Sequence, residues 1–220
     1  MNDVLEFDGI ELSYGTTRIL QGIYVKCVVG EVVGILGRNG SGKSSLFKVV
    51  FGGQPAIHRS IRVNGRALPT DFIRKRIIGY LPQGNLIPPH VSVRKALSLF
   101  GIRPGVVIDY FPDVEGELDL LPDDLSAGMR RIIELLLVLK SPARFVMLDE
   151  PFSGVMPVHI ETISTLIQDA KNQKGVIVTD HLYRNVLSNA DRLYLLANGC
   201  TYAIKDREEL IYRGYLNSES

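Results

Sequence analysis

The stretch GRNGSGKSS, residues 37–45, decides how the rest of the chain is interpreted. It follows the apolar run EVVGILG and leads into SSLFKVVFG, so it forms a turn between a buried strand and a helix. Glycines let the backbone N–H groups of such a turn point at phosphate oxygens, while the lysine reaches the β- and γ-phosphates and the next serine ligates Mg²⁺. The residues of this phosphate-binding loop (P-loop) expected at the nucleotide are Gly37, Arg38, Asn39, Gly40, Ser41, Gly42, Lys43, Ser44 and Ser45. A glycine-rich turn without a ligand is the alternative interpretation.

An acidic pair follows a second apolar strand. In RFVMLDEP, Asp149 lies at the carboxyl end of the strand and Glu150 comes directly after it. Ligands of open α/β sheets collect at these strand ends, where the P-loop also lies. We therefore expect Asp149 to hold magnesium and Glu150 to orient or deprotonate a water that attacks the γ-phosphate. The alternative is that the pair only caps the following segment.

Strand-like and helix-like segments alternate along most of the chain. The N-terminal segments LEFDGIEL and ILQGIYVKCV are strand-like and predict an antiparallel β region. The P-loop helix should end at Gly52-Gly53. Further strands are predicted at IRVNG, IIGYLPQ, FVMLD, GVIVTD, RLYLLA and CTYAI, and further helices at residues 126–140 and 158–172. This alternation predicts an α/β fold, a P-loop NTPase core around a mostly parallel sheet.

One segment interrupts the alternation. The chain is broken by Pro88-Pro89, Ser92 is placed to cap a short helix at SVRKALSLF, and turn-rich acidic sequence runs from Pro104 to Asp124. These features predict a small helical lobe that leads into the helix beginning at Ser126. The predicted domains are a nucleotide-binding core, residues 1–83 and 126–220, and a short helical lobe, residues 84–125.

Composition and charge limit the classes of partner and compartment. The chain has 220 residues, 22% of them charged, with a net charge of +1, so no nucleic-acid partner is expected. The start MNDVLEFDGI lacks the charged leader and apolar core of a signal peptide, and no run approaches the about 18 apolar residues of a membrane span. Glu134 interrupts the apolar run from Ile132 to Leu139. Cys27 and Cys200 are predicted to be buried free thiols in a reducing compartment. We expect a cytoplasmic chain, held at a membrane only through a partner.

The segment DDLSAGMRRIIELLLVLK, residues 123–140, begins a predicted helix with Ser126 and Gly128 at its N-terminal end. A helix N-terminus has unpaired N–H groups and partial positive charge, which favour an anion. The chain between Ser126 and Asp149 is long enough to allow a phosphate held by the same chain. The residues alone therefore leave the source of the anion open.

Together these motifs resemble the ATP-binding subunits of ABC (ATP-binding cassette) transporters over nearly the whole chain. LSAGM, from Leu125 to Met129, occupies the position of the signature motif, usually LSGGQ, and His181 in VTDH that of the switch histidine. Tyr14 in ELSYG matches the aromatic residue that stacks on adenine, and Gln83 in GYLPQ matches the glutamine that touches the metal shell. The resemblance implies that the catalytic residues are Lys43, Gln83, Glu150 and His181 and that the magnesium ligands are Ser44, Gln83 and Asp149.

The resemblance also implies a source for the anion. Two subunits of this family pack head to tail, so Ser126 and Gly128 would face ATP held by the partner. The implied partners are a second ATP-binding subunit, identical or different, and transmembrane permease subunits. PFSGVMP and VTDH also resemble the branch that serves lipopolysaccharide export and branched-chain amino acid import. The chain departs from the family pattern at Ala127, Met129 and Met156, which are expected on the inter-subunit side of the site.

Several functions remain open at this point. The leading one is a working ATPase that drives transport, with altered communication between its two sites. A second is an ATP-binding interaction module with weak or no hydrolysis, which the three departures favour. A third is an ABC ATPase acting on DNA or ribosomes, but the chain has no basic excess, second cassette or long coiled-coil insert. A small-molecule kinase would leave the signature and switch positions unexplained.

Overall fold

The computed structural model describes residues 3–217, so the outermost residues of the predicted core, 1–2 and 218–220, lie outside the described part. The strands are β1 (Val4–Tyr14), β2 (Thr17–Val28), β3 (Val32–Leu36), β4 (His58–Val63), β5 (Arg66–Ala67), β6 (Ile78–Leu81), β7 (Phe145–Asp149), β8 (Gly175–Thr179), β9 (Arg192–Ala197) and β10 (Cys200–Ile204). The α-helices are α1 (Lys43–Phe51), α2 (Val93–Leu99), α3 (Pro104–Ile108), α4 (Ala127–Lys140), α5 (Pro157–Lys171), α6 (Tyr183–Asn189) and α7 (Arg207–Tyr212).

The strands form one mixed sheet with the order β5-β4-β1-β2-β10-β9-β3-β8-β7-β6. From β9 to β6 all neighbours are parallel, whereas β1, β2, β4 and β5 pair antiparallel. The two regions meet where β10 pairs with β2, at Cys200 and Gly22. The predicted α/β class, with a mostly parallel core and an N-terminal antiparallel region, is confirmed.

Both faces of the parallel region are buried. Along β7, Phe145 and Met147 pack with α1 residues such as Phe47 on one face. Val146 and Leu148 pack with residues of α4 and α5 on the other face. Because helices cover both faces, the strands are continuous apolar runs. Polar functional groups are therefore expected at the carboxyl ends of these strands.

The predicted helix boundaries agree with the structure where a capping residue defined them. The Ser92 hydroxyl caps α2 by accepting from Lys95 N, and the Ser126 hydroxyl caps α4 by accepting from Met129 N at 3.1 Å. The predicted apolar face of α5, with Ile163 and Ile167, packs into the core. Within residues 3–217, no helix combines the length and the apolarity that crossing a bilayer requires.

Some elements were not predicted from the sequence. The helices α6 and α7 were missed, although Asp206 caps α7 by accepting from Glu209 N at 2.9 Å, and such an Asp-x-x-Glu spacing is a helix-start signal. The stretch predicted as turns also contains α3 and short 3₁₀ helices at Pro112–Glu117 and Pro122–Asp124, each beginning with proline. Both cysteines are free thiols as predicted, but the predicted burial of Cys200 is wrong, since this residue is half-buried whereas Cys27 is buried.

Candidate functional site

The carboxyl ends of the parallel strands surround one cavity of about 500 Å³. It is lined by Tyr14, Ile19, Asn39, Gly40, Ser41, Gly42, Lys43, Ser44, Ser45, Gln83, Glu150 and His181. The fold therefore brings together residues from five separate sequence motifs. Tyr14, at the end of β1, is 51% exposed on the rim of this cavity, so a face of its ring is free to receive a flat ligand.

The P-loop connects β3 to α1 and is shaped as the sequence predicts. Gly42 has a φ of 103°, and a Cβ placed there would lie 3.0 Å from Ile19 Cγ2, so only glycine fits. The Lys43 ammonium closes the loop by donating to the carbonyl oxygens of Gly37 at 2.7 Å and Arg38 at 3.3 Å. Burial lowers the pKa of Lys43, and the nearby carboxylates of Glu150 and Asp149 oppose that effect. Ser41 Oγ is buried without a hydrogen-bond partner among the described residues, as expected of a group that awaits a ligand.

Ser44 and Asp149 form the part of the site that fits a metal ion. The Ser44 hydroxyl donates to Asp149 Oδ1 at 3.1 Å, and the Tyr80 hydroxyl donates to Asp149 Oδ2 at 3.3 Å. Asp149 is fully buried, and burial raises the pKa of its carboxyl above the usual range. A hydroxyl and a carboxylate are hard oxygen donors of the kind that Mg²⁺ prefers. Tyr80, which orients this carboxylate, was not predicted from the sequence.

Glu150 has an unusual backbone conformation that directs its side chain. Its φ is 57°, in the left-handed region, which costs a non-glycine residue about 1–2 kcal/mol. Glu150 N donates to Thr179 O at 2.7 Å, which anchors the residue to β8. Its carboxylate accepts from Gln83 Nε2 at 3.2 Å and lies 3.7 Å from His181 Nδ1. Three predicted catalytic groups thus meet at one point of the cavity.

The buried carboxylate of Asp180, which was not among the predicted site residues, holds the loop bearing His181. Asp180 accepts from Phe152 N at 3.0 Å and from Leu182 N at 2.8 Å, and its Oδ1 lies 3.3 Å from His181 Nδ1. Burial raises the pKa of the Asp180 carboxyl. Asp180 thereby ties the loop after Glu150 to the loop after β8. The acidic residue in VTDH was the available sequence signal.

The signature residues lie outside this cavity. Among the described residues, neither Ser126 nor Gly128 borders it, and Ser126 is exposed. A Cβ at Gly128 would lie 2.6 Å from Gly154 O, so this glycine is required by packing within its own chain. The prediction for Met129 is wrong: its side chain is 7% exposed and belongs to the core. Met156 is 58% exposed, and its place on the inter-subunit side stays a prediction.

Replacing Gly128 with alanine is expected to destabilise the chain by about 1–3 kcal/mol, because the added methyl meets a backbone carbonyl that cannot rotate away. Urea unfolding followed by circular dichroism measures the effect. The control is Gly105→Ala in α3, where a Cβ would have no neighbour within 4 Å among residues 3–217, so this substitution should be neutral or mildly stabilising. An unchanged midpoint for Gly128→Ala would show that the two backbones are not in contact.

A P-loop between β3 and α1, beside the acidic end of β7 in a largely parallel sheet, defines a P-loop NTPase. The sequence profile of the ABC transporter family matches residues 20–153, more than half of the chain. The chain therefore belongs to the ABC transporter family and is one of its ATP-binding subunits. Such subunits are ATPases whose hydrolysis of ATP is coupled to transport.

Relatives of known role cover most of the chain. It is 32% identical to the lipopolysaccharide export system ATP-binding protein LptB of Escherichia coli (strain K12), over 85% of this chain and 84% of the relative. It is 27% identical to the high-affinity branched-chain amino acid transport ATP-binding protein BraG of Pseudomonas aeruginosa, over 89% of this chain and 90% of the relative. A solved ATP binding subunit of an ABC transporter superposes with a TM-score of 0.83 at 20% identity, covering 98% of this chain and 95% of the other.

Proposed function

We propose that two such subunits, identical or different, close head to tail around ATP and drive a conformational change in membrane partner subunits. The proposal rests on the separation between the residues that line the cavity and the signature residue Ser126. Lys43, Glu150 and His181 border one cavity, whereas Ser126 is exposed outside it. The anion-binding end of α4 is therefore free for a nucleotide held by a second chain. On this proposal the subunit works in the cytoplasm, at the membrane face where its partners hold it.

The P-loop residues bind the triphosphate in this proposal. The loop N–H groups and the Lys43 ammonium neutralise phosphate oxygens, and the Tyr14 ring covers adenine at the rim. Ser44, Asp149 and Gln83 would hold Mg²⁺. When bound, Mg²⁺ supplies Lewis-acid polarisation of the terminal phosphoryl group. The oxygen donors already in contact at Ser44 and Asp149 support this assignment.

Glu150, Gln83 and His181 serve the attacking water. Glu150 accepts a hydrogen bond from the water or its proton, because its carboxylate is directed into the cavity. Gln83 and His181 approach that carboxylate from two other loops. His181 would donate to a γ-phosphate oxygen and stabilise the charge that develops there. In this proposal, these three residues are the groups that the chain itself supplies to the attacking water.

An apolar cleft offers a contact for a membrane partner. Ile73, Leu99 and Phe100 are exposed around a cavity of about 290 Å³ between the α1–β6 surface and the end of α2. Leu86, which follows Gln83 by three residues, also borders this cleft. We infer that a short apolar segment of the permease docks here, since the cleft is continuous with the segment that carries Gln83.

The test of the shared site is the mass of the hydrolysis-blocked variant Glu150→Gln, measured by size exclusion with light scattering. With Mg²⁺ and ATP the mass should double from 24.4 kDa, and with ADP it should not. Adding Ser126→Arg should abolish the dimer and leave ATP binding intact, whereas Ser188→Arg at an exposed position on α6 should not. A variant that stays monomeric with ATP bound would contradict self-pairing and require a different companion chain.

A second candidate is a module that binds ATP but hydrolyses it slowly. The exposed Met156, where the resemblance implies an aspartate, favours it, because a thioether accepts a hydrogen bond across the interface far more weakly than a carboxylate does. Steady-state phosphate release separates the two. Turnover no faster than that of Glu150→Gln would support the slow module, and faster turnover would support the ATPase.

A further inference from the structure

Two charged residues inside the apolar part of α4 have no role in the motifs described above. Arg131 and Glu134 are 7% and 2% exposed, and Arg131 Nη1 lies 3.8 Å from Glu134 Oε2. Buried charges are costly unless their hydrogen-bonding groups are satisfied. Apart from each other, their partners are backbone groups of the segments that carry Gln83, Asp149 and Glu150.

Arg131 holds three carbonyl oxygens that flank the catalytic groups. Its Nη1 donates to Pro82 O at 2.6 Å, one residue before Gln83. Its Nε donates to Glu150 O at 3.2 Å, and its Nη2 donates to Asp149 O. A planar guanidinium fixes the directions of these bonds relative to one another, which a lysine cannot do. One side chain thus sets the spacing between the backbones of Gln83 and Glu150.

Glu134 holds the other end of the segment that contains Gln83. Its Oε1 accepts from Leu86 N at 2.7 Å and from Ile87 N at 3.1 Å. The segment from Pro82 to Ile87 is therefore attached to α4 at both ends, while Gln83, Gly84 and Asn85 between them are exposed. The two attachments explain how an exposed loop keeps Gln83 Nε2 within 3.2 Å of the Glu150 carboxylate.

The same attachment supports the left-handed backbone of Glu150. A strained conformation persists only where surrounding contacts determine it. Thr179 O accepts from Glu150 N on one side, and Arg131 Nε donates to Glu150 O on the other. Loss of the arginine would let the residue relax and turn its carboxylate away from the cavity.

We propose that Arg131 and Glu134 are positioning residues for ATP hydrolysis, which fix Gln83 and Glu150 relative to each other and to α4. The proposal rests on the hydrolytic role proposed for Glu150. Neither residue borders the nucleotide cavity. They affect hydrolysis by fixing the positions of Gln83 and Glu150, which do border that cavity.

The first test is kinetic. Arg131→Met is expected to lower kcat for phosphate release by about 10- to 100-fold with KM changed less than about 3-fold, since a displacement of about 1 Å at a catalytic group has such an effect. Arg131→Lys should recover little, because it cannot reach all three carbonyls. Glu134→Gln keeps the accepting oxygen and should retain most of kcat, whereas Glu134→Leu should not. In the Glu150→Gln background, Arg131→Met should cause no further loss.

The matched control is Lys174→Met. Lys174 is also buried and also holds backbone carbonyls, those of Ser141 and Ala143, but it precedes β8 at the end of the sheet away from the cavity. Its replacement should lower stability and leave kcat unchanged. A kcat for Arg131→Met equal to that of the wild type, or an equal loss in the Glu150→Gln background, would overturn the proposal.

The second test does not depend on hydrolysis. Amide hydrogen exchange of Leu86 and Ile87 should become faster in Glu134→Leu, remain near the wild-type rate in Glu134→Gln, and be unaffected in Lys174→Met. Unchanged exchange in Glu134→Leu would overturn the positioning role. A wild-type chain that releases no phosphate would instead contradict the hydrolytic function, so the two failures are distinguishable.

Discussion

Glu150→Gln is expected to lower steady-state phosphate release by at least about 100-fold, the usual contribution of a general base, while ATP binding remains. Glutamine is nearly isosteric with glutamate and can keep a contact with Gln83, so the cavity keeps its shape. It cannot accept a proton from water, because its side chain has no basic oxygen. The left-handed backbone and its contacts to Thr179 O and Arg131 do not involve the carboxylate, and they should persist.

The measurement is phosphate release at saturating Mg²⁺ and ATP, with ATP binding followed separately by titration. Glu161→Gln, at an exposed position on α5, is the control and should behave as the wild type. Equal rates for Glu150→Gln and the wild type would remove Glu150 from its assigned role. Loss of both hydrolysis and binding would indicate that the carboxylate instead supports the structure of the loop.

Lys43→Met is expected to weaken ATP binding by about 10- to 150-fold, which corresponds to the about 1.5–3 kcal/mol of a hydrogen bond to a charged group. Lys43 is 7% exposed as a residue and lines the cavity, and its ammonium closes the P-loop through the carbonyls of Gly37 and Arg38. Methionine has a similar length and no charge, so it removes the interaction with phosphate and leaves the packing largely intact.

Isothermal calorimetry with ATP and Mg²⁺ checks this result. Lys48→Met is the matched control, because Lys48 lies on the same helix but is exposed at its last turn. It should bind ATP as the wild type does. Unchanged affinity for Lys43→Met would mean that the lysine serves only to hold the loop, with phosphate bound by backbone N–H groups alone.

The sequence predicted those parts of the site that depend on local chemistry. The P-loop and the Asp149–Glu150 pair follow apolar strands, so their position at the strand ends follows from short-range pattern. Tyr14, Gln83 and His181 were assigned from resemblance, and the structure places all three at the same cavity. Their assigned roles are proposals that the variants above test.

Residues that act through long-range contacts were not predictable. Glu134 was noted only as a break in an apolar run, since nothing near it in sequence indicates that its partners are Leu86 N and Ile87 N. The assignment of Gly128 to a partner's ATP stays a prediction, but its packing requirement, a Cβ position filled by Gly154 O, was not predictable. Met129 was expected at an interface, but the direction of its side chain depends on how α4 is rotated in the core.

The α4 helix carries both the signature residue Ser126 and Arg131, which holds the loop of Glu150. Ser126 caps it, and Arg131 follows five residues later, a rise of about 7.5 Å along the axis. In the proposed dimer, Ser126 would lie at the terminal phosphate of the ATP that the opposite subunit holds. Arg131 would hold the loop that carries Glu150 in its own subunit. Cooperativity between ATP hydrolysis at the two sites of the dimer would then need no chain of contacts across the protein. It would depend on the roughly 1.4 turns of α4 that separate these two residues.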